Sequence, residues 1–203
     1  MPATLALRHL ILVLFLASAP AMAADSGARA WLVSQGYAPP SGSQIVACHG
    51  YGCSRRAILS ADTWLVRASA LLNDGAASPA SERRALGEAI GLYTGRLAAR
   101  FGGRPDEPGS PPSLSGVHGQ MDCLDVTANV ISMLLVLEER GLLRHHEVAP
   151  PQSRGTFLDG RWPHFTAVIG ERNGARWALD PWRRAPGQRP EILPLERWQQ
   201  ASR

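Results

Sequence analysis

The most regular apolar pattern in the chain runs from Val126 to Leu143. Val126, Val130, Leu134 and Leu137 recur at helical spacing in GQMDCLDVTANVISMLLVLEERGLL, which predicts a helix stopped at Gly141. Asp125 and Asn129 make a polar stripe at i, i+4 on this otherwise apolar helix. They either support a site at its start or mark the exposed edge of a half-buried helix.

Elsewhere the periodicity is shorter. SGARAWLVSQGY predicts a short helix ending near Gly36, and Ala-Pro-Pro-Ser-Gly a linker. SQIVAC and RAILS read as short extended pieces, while Ala61 to Leu72 fits either period. Leu86, Ile90, Tyr93 and Leu97 place a helix over Ser81 to Phe101, with Ser81 as its cap. Gly102 to Gly116 is proline-rich, lacks apolar periodicity and reads as a loop. LLRHHEVAP is expected as a strand, and Thr156-Phe157-Leu158 as another. EILPLERW closes the chain as a strand end and a short helix. Helices precede strands, and there is no internal repeat, so the fold class is α+β.

The stretch WPHFTAVIGERNGARWALDPW reads as a β-hairpin turning at Arg172-Asn173-Gly174. Its register follows from its pattern. A two-residue turn would set Ala167 against Asp180 and put the carboxylate on the apolar face. A three-residue turn with left-handed Gly174 pairs Glu171 with Ala175, Ala167 with Leu179 and Ile169 with Trp177. Phe165, Ala167, Ile169, Trp177 and Leu179 then share one face. His164, Thr166, Asp180 and Trp182 share the other, with His164 and Asp180 as diagonal neighbours.

The N-terminus adds a targeting signal. Arg8 and His9 precede the apolar run Leu10 to Ala17, then Pro20 and Ala21-Met22-Ala23, with a cut expected before Ala24. The run is about half of what spans a bilayer, so an uncleaved anchor is the lesser reading. The expectation is an exported chain of about 180 residues, periplasmic or secreted, with no stable membrane span after cleavage. Three parts are expected: a signal peptide over 1–23, a mostly helical region with a disulfide and a Pro/Gly-rich loop over 24–116, and a core over 117–203. The last two are expected to pack together.

The formal charge of +4 comes from arginine alone, since the chain has no lysine. The arginines are scattered among acids and prolines, which argues against a nucleic-acid surface. An anionic envelope polymer is compatible with the charge.

The three cysteines change the picture most. In an exported protein the pair in CHGYGC, Cys48 and Cys53, is expected to form a disulfide, leaving Cys123 odd. A metal site made by that pair with His49 lacks a second ligand cluster. Asp122 is a natural N-cap and Asp125 stands in the capping-box position, which makes Cys123 the first helical residue. Helix N–H groups and the dipole favour its thiolate; the two aspartates oppose it. The same N–H groups could receive an oxyanion, and Gln120 could add a donor or be a simple loop amide.

A base would come from His118, His145, His146 or His164. His145 and His146 are adjacent and face opposite ways in a strand. His118 lies in the loop before the cysteine. His164 has Asp180 on the neighbouring strand to hold its ring; the bland alternative is a surface His–Asp pair of little value.

The order helix-N-terminal Cys (MDCLD), strand His (WPHFTAVI), strand Asp (WALDPW) resembles the transglutaminase-like branch of the papain-like cysteine hydrolases. The Cys-x-Asp of Cys123 and Asp125 is similar to the bacterial transglutaminase-like cysteine peptidases. The resemblance covers roughly Gln120 to Trp182. It implies a papain/transglutaminase-like core with the catalytic helix packed on an antiparallel sheet, Cys123 as nucleophile, His164 as general base and acid, and Asp180 as orienter. The chain departs from the family in lacking a tryptophan just before the cysteine and in having the extra N-terminal region.

The leading expectation is an exported thiol hydrolase or acyltransferase acting on amide bonds of a protein, peptide or cell-wall peptide, with no cofactor and no metal. The alternative is an inactive domain of the same fold serving as an envelope binding or structural module. A metal site from His118, Cys123, Asp125 and one of the paired histidines ranks last, because the spacings suit a helix start poorly.

Overall fold

The computed structural model describes residues 27–156, 158 and 163–201. The segment 1–23, expected as a signal peptide, lies outside the described residues, and the strand expected at Thr156-Phe157-Leu158 falls partly outside them.

The chain is α+β. In order it forms α1 (Gly27–Ser34), β1 (Gln44–His49), β2 (Arg55–Ser60), α2 (Leu65–Asp74), α3 (Pro79–Phe101), α4 (Cys123–Glu139), β3 (His146–Arg154), β4 (His164–Glu171), β5 (Arg176–Asp180), β6 (Glu191–Pro194) and α5 (Leu195–Gln200). Strands β1 and β2 form an antiparallel pair, and β3-β4-β5-β6 form a four-stranded sheet in sequential order. The ambiguous stretch after β2 resolves into one 3₁₀ turn, Ala61–Thr63, and helix α2.

Helix α3 starts earlier than the apolar spacing implied. Its cap is Ser78, not Ser81. Ser78 Oγ accepts from the Ser81 N–H, Ser81 Oγ accepts from the Ser78 N–H, and Pro79 occupies the first turn. Proline is suited to that position because its missing N–H would have had no helical partner.

Helix α4 is the centre of the molecule. Every residue from Asp125 to Leu137 is buried, because the helix packs against β1 on one side and against β3 and β4 on another. A helix enclosed on several sides needs apolar residues around its circumference, and Val126, Ile131, Met133, Leu134 and Leu137 supply them. One apolar cluster joins Leu32, Ile45, Trp64 and Leu86 from the N-terminal region to the α4 residues and to Ala167, Ile169 and Leu179 of the sheet.

The hairpin has the three-residue turn. Glu171 N–H donates to Ala175 O, Gly174 sits at φ +91°, Ala167 pairs with Leu179, and Ile169 pairs with Trp177. Gly174 is the residue that the left-handed position demands. Ala167, Ile169 and Leu179 face α4. The other face is covered as well: Leu195 and Trp198 of α5 pack on Val168 and Ala178. His164 and Asp180 lie on this second face and are both buried. Among the described residues no helix is long and apolar enough to cross a membrane.

Candidate active site at the start of helix α4

Cys123 is the first residue of α4. Asp122 caps the helix, its Oδ1 accepting from the Asp125 N–H at 2.7 Å. Cys48 and Cys53 are disulfide-bonded, and Cys123 is the free cysteine. Its sulfur lies beside the Phe165 N–H at the start of β4, and the first N–H groups of α4 have no acceptor within the helix.

Asp125 does not complete the capping box. Its carboxylate turns outward from the helix to the CHGYGC loop. There Oδ2 accepts from the Tyr51 N–H at 2.9 Å and Oδ1 from the Cys53 N–H at 2.7 Å. Asp122 Oδ2 takes the N–H between them, that of Gly52, at 3.0 Å. Four consecutive residues, Gly50, Tyr51, Gly52 and Cys53, have positive φ, which points successive N–H groups into one concavity. Two carboxylates fill it. Asn129, one turn further on, closes the contact by pairing with both backbone groups of Cys48 at 2.8 Å each. Asp125 and Asn129 are therefore buried, not an exposed edge, and they hold the disulfide loop over the start of α4.

Gln120 is also a structural amide. Its Oε1 accepts from the Glu107 N–H and its Nε2 donates to Pro105 O, both at 2.9 Å, so it braces the proline-rich loop and does not border the cavity at Cys123.

The hairpin register brings His164 and Asp180 together. Nε2 of His164 lies 2.7 Å from Asp180 Oδ2. The same oxygen accepts from Trp198 Nε1 at 2.8 Å, and Oδ1 accepts from the Trp182 N–H at 3.2 Å. Burial works against ionisation of Asp180, but the hydrogen bond and charge of His164, with the Trp198 and Trp182 donors, hold its carboxyl below the usual range. The imidazole lies against Trp182, centroids 4.5 Å apart and planes tilted by 31°, and its centroid is 5.7 Å from that of Trp198. With Nε2 engaged, Nδ1 remains, and it is buried with no hydrogen-bond partner among the described residues.

Cys123 and His164 border the same cavity, about 670 Å³ in volume. Its walls include Tyr51, Pro111, Leu124, Phe165 and Trp182, with Asp122, Arg154 and Arg183 among the charged residues. The thiol is held protonated there. Burial foremost, then the charges of Asp122 and Asp180, push it up to about 11, against the opposing pull of the Phe165 N–H.

The other histidines are committed elsewhere. His146 Nδ1 bonds Glu82 at 2.8 Å, and His145 Nε2 bonds Ala76 O at 2.9 Å. His118 Nε2 bonds Phe101 O at 2.7 Å, and His49 Nδ1 accepts from the Gly119 N–H at 3.1 Å. Among the described residues no group of three or more His, Cys, Asp or Glu side chains is placed to hold a metal ion.

The structure brings Cys123 and His164, both singled out in the sequence, to one cavity and pairs His164 with Asp180, and it adds two residues the sequence did not point to, Tyr51 and Trp198. Trp198 sits one helical turn past the LP that ends β6, and nothing in LERW announces that its indole reaches Asp180. Tyr51 is signalled only by its place between two glycines inside a disulfide loop. Compared with known proteins, the chain matches no family model, no curated protein and no solved structure.

Proposed function

We propose that this chain is an exported cysteine hydrolase or acyltransferase with a papain/transglutaminase-like core, acting on amide bonds of peptide or peptidoglycan type. The observation that carries the reading is His164, which borders the cavity of the free Cys123 with Nε2 tied to Asp180 and its buried Nδ1 without a hydrogen-bond partner among the described residues. A neutral imidazole donating Nε2–H to Asp180 has its lone pair on Nδ1. That nitrogen takes the thiol proton as sulfur attacks a carbonyl carbon. The resulting imidazolium is stabilised by Asp180, and it returns the proton to the leaving amine. Water or a second amine then resolves the acyl-enzyme. The free N–H groups at the start of α4 and the Phe165 N–H are the donors available to an oxyanion.

Burial, Asp122 and Asp180 push the thiol up to about 11, so on this reading its reaction near neutrality requires transfer of its proton to His164. The experiment is the pH dependence of Cys123 alkylation by iodoacetamide without reductant, in wild type and His164→Ala. Wild type is expected to react at about pH 7, and the variant only as the pH approaches the thiol's own value. Superimposable profiles would overturn the reading.

The second reading is a non-catalytic envelope-binding domain of the same fold. It is favoured by one observation, that burial and then the charges of Asp122 and Asp180 keep Cys123 protonated.

A further inference from the structure

Tyr51 is the one residue of the disulfide loop that borders the Cys123 cavity, and its backbone is in an unusual state. Its φ is +68°, a left-handed conformation that a bulky side chain adopts at a cost. The flanking glycines at 50 and 52 take positive φ freely; Tyr51 does not, yet the position has a tyrosine. A conformation of this kind persists only where the surroundings over-determine it. Here they do so three times. The Cys48–Cys53 disulfide closes the loop, Asp125 and Asp122 bind the N–H groups of residues 51 to 53, and Tyr51 Oη donates to Pro111 O at 2.7 Å. The last bond joins the disulfide loop to the proline-rich loop, and the two together form one wall of the cavity.

We infer that Tyr51 is a specificity-determining residue: the disulfide and the two aspartates hold its ring as an apolar wall that receives an aromatic or aliphatic group next to the scissile carbonyl. The chemistry of the surroundings points the same way, since Pro111, Leu124, Phe165 and Trp182 border the space beside the thiol. A hydrophobic enclosure of this kind discriminates between acyl groups by the apolar area it covers. The inference rests on the thiol being the reacting group of the preceding section and adds the substrate class.

The test compares two thiol reagents on the full chain, with mass spectrometry locating the label on Cys123. One is iodoacetamide; the other is an N-blocked phenylalanine chloromethyl ketone. In each the sulfur–carbon bond forms, the carbon–halogen bond breaks, halide leaves and the thiol proton passes to the base. The ratio of the two rates cancels any change in the reactivity of the sulfur itself.

In Tyr51→Gly the ratio of aromatic to small reagent is expected to fall about tenfold. Glycine suits the positive φ, so this variant removes the ring without straining the loop. Tyr51→Phe, which loses only the bond to Pro111, is expected to lower the ratio about threefold. The Cys48→Ser/Cys53→Ser pair is expected to lower it as Tyr51→Gly does. An unchanged ratio in Tyr51→Gly overturns the proposal, as does failure of both reagents to label Cys123 in the wild type. An unchanged ratio in the serine pair alone removes the disulfide's part in it. Loss of His164 dependence bears on the catalytic reading and leaves this ratio readable, so the two failures are distinguishable.

Discussion

Asn129 pairs with both backbone groups of Cys48, its Oδ1 accepting the N–H and its Nδ2 donating to the carbonyl, each at 2.8 Å. A helix side chain thus takes the place of a neighbouring strand at β1. It ties the disulfide loop to the same helix that begins with Cys123.

Replacing Asn129 by alanine leaves a buried N–H and a buried C=O without partners. The expected loss is roughly 3 kcal/mol. Asn129→Asp keeps the acceptor but sets a carboxylate oxygen against the Cys48 carbonyl, so it is expected to destabilise more at neutral than at acid pH. Denaturant titration at two pH values checks both. A midpoint for Asn129→Ala equal to wild type would show that the clamp contributes nothing.

Asp125 supplies a pH signature. Burial first, and then the neighbouring Asp122, raise its carboxyl from 3.8 to about 7, although the N–H groups of Cys53 and Tyr51 pull it down. Between those values the folded chain keeps a proton that the unfolded chain has released. The contribution is therefore full below the unfolded value and is lost as pH rises to about 7. Asp106, raised by burial to about 6, adds to the same slope. In Asp125→Asn the fall in stability between about pH 4 and 7 is expected to flatten relative to wild type. Thermal midpoints across that range measure it, and an unaltered slope would contradict the assignment.

Asp180→Asn tests the tautomer. An amide opposite Nε2 donates to it and moves the imidazole proton to Nδ1, where a base is needed. The expected result is a loss of neutral-pH alkylation of Cys123 of about a hundredfold or more. Because His164 Nε2 and Trp198 Nε1 share Oδ2, the same NH₂ leaves the indole N–H without its acceptor, and circular dichroism run alongside checks that the fold is retained. Reactivity equal to wild type would remove Asp180 from the mechanism.

Glu82 offers a prediction away from the site. It is fully buried on α3 and accepts from the N–H groups of Arg144, His145 and His146 and from His146 Nδ1. Burial opposes its ionisation, but His146 and these N–H groups together hold the carboxyl below 4.5. A depressed folded-state value contributes stability above the unfolded one and loses it as pH falls. Glu82→Gln turns an amide NH₂ toward backbone donors and is expected to cost about 2 kcal/mol at neutral pH and to weaken the acid limb. Acid titration followed by circular dichroism reads both effects.

The legible parts of this chain were those governed by local pattern. The register of Ala167 with Leu179 followed from keeping one face apolar, and with it came the His164–Asp180 pair. The disulfide followed from two cysteines close in sequence. Hidden parts depended on partners distant along the chain. Asp125 in a capping-box position signals a helix start, and nothing local says that its carboxylate is needed by a loop 72 residues earlier. Gln120 before a cysteine suggests an oxyanion donor, but the loop ahead of it claims the amide. The cap at Ser78 was missed because apolar spacing locates a helix face and not its first turn.

The loop of Cys48 to Cys53 and its receptor are far apart in the order of synthesis. The cysteines are separated by five positions, whereas Asp125 and Asn129 arrive 72 and 81 residues after the groups they bind. A chain made from its N-terminus can therefore close the covalent ring early, but the carboxylate and amide of Asp125 and Asn129 that bind it come only with α4. Docking of α4 on the ring therefore fixes the Tyr51 wall and Cys123 relative to each other in the same contact.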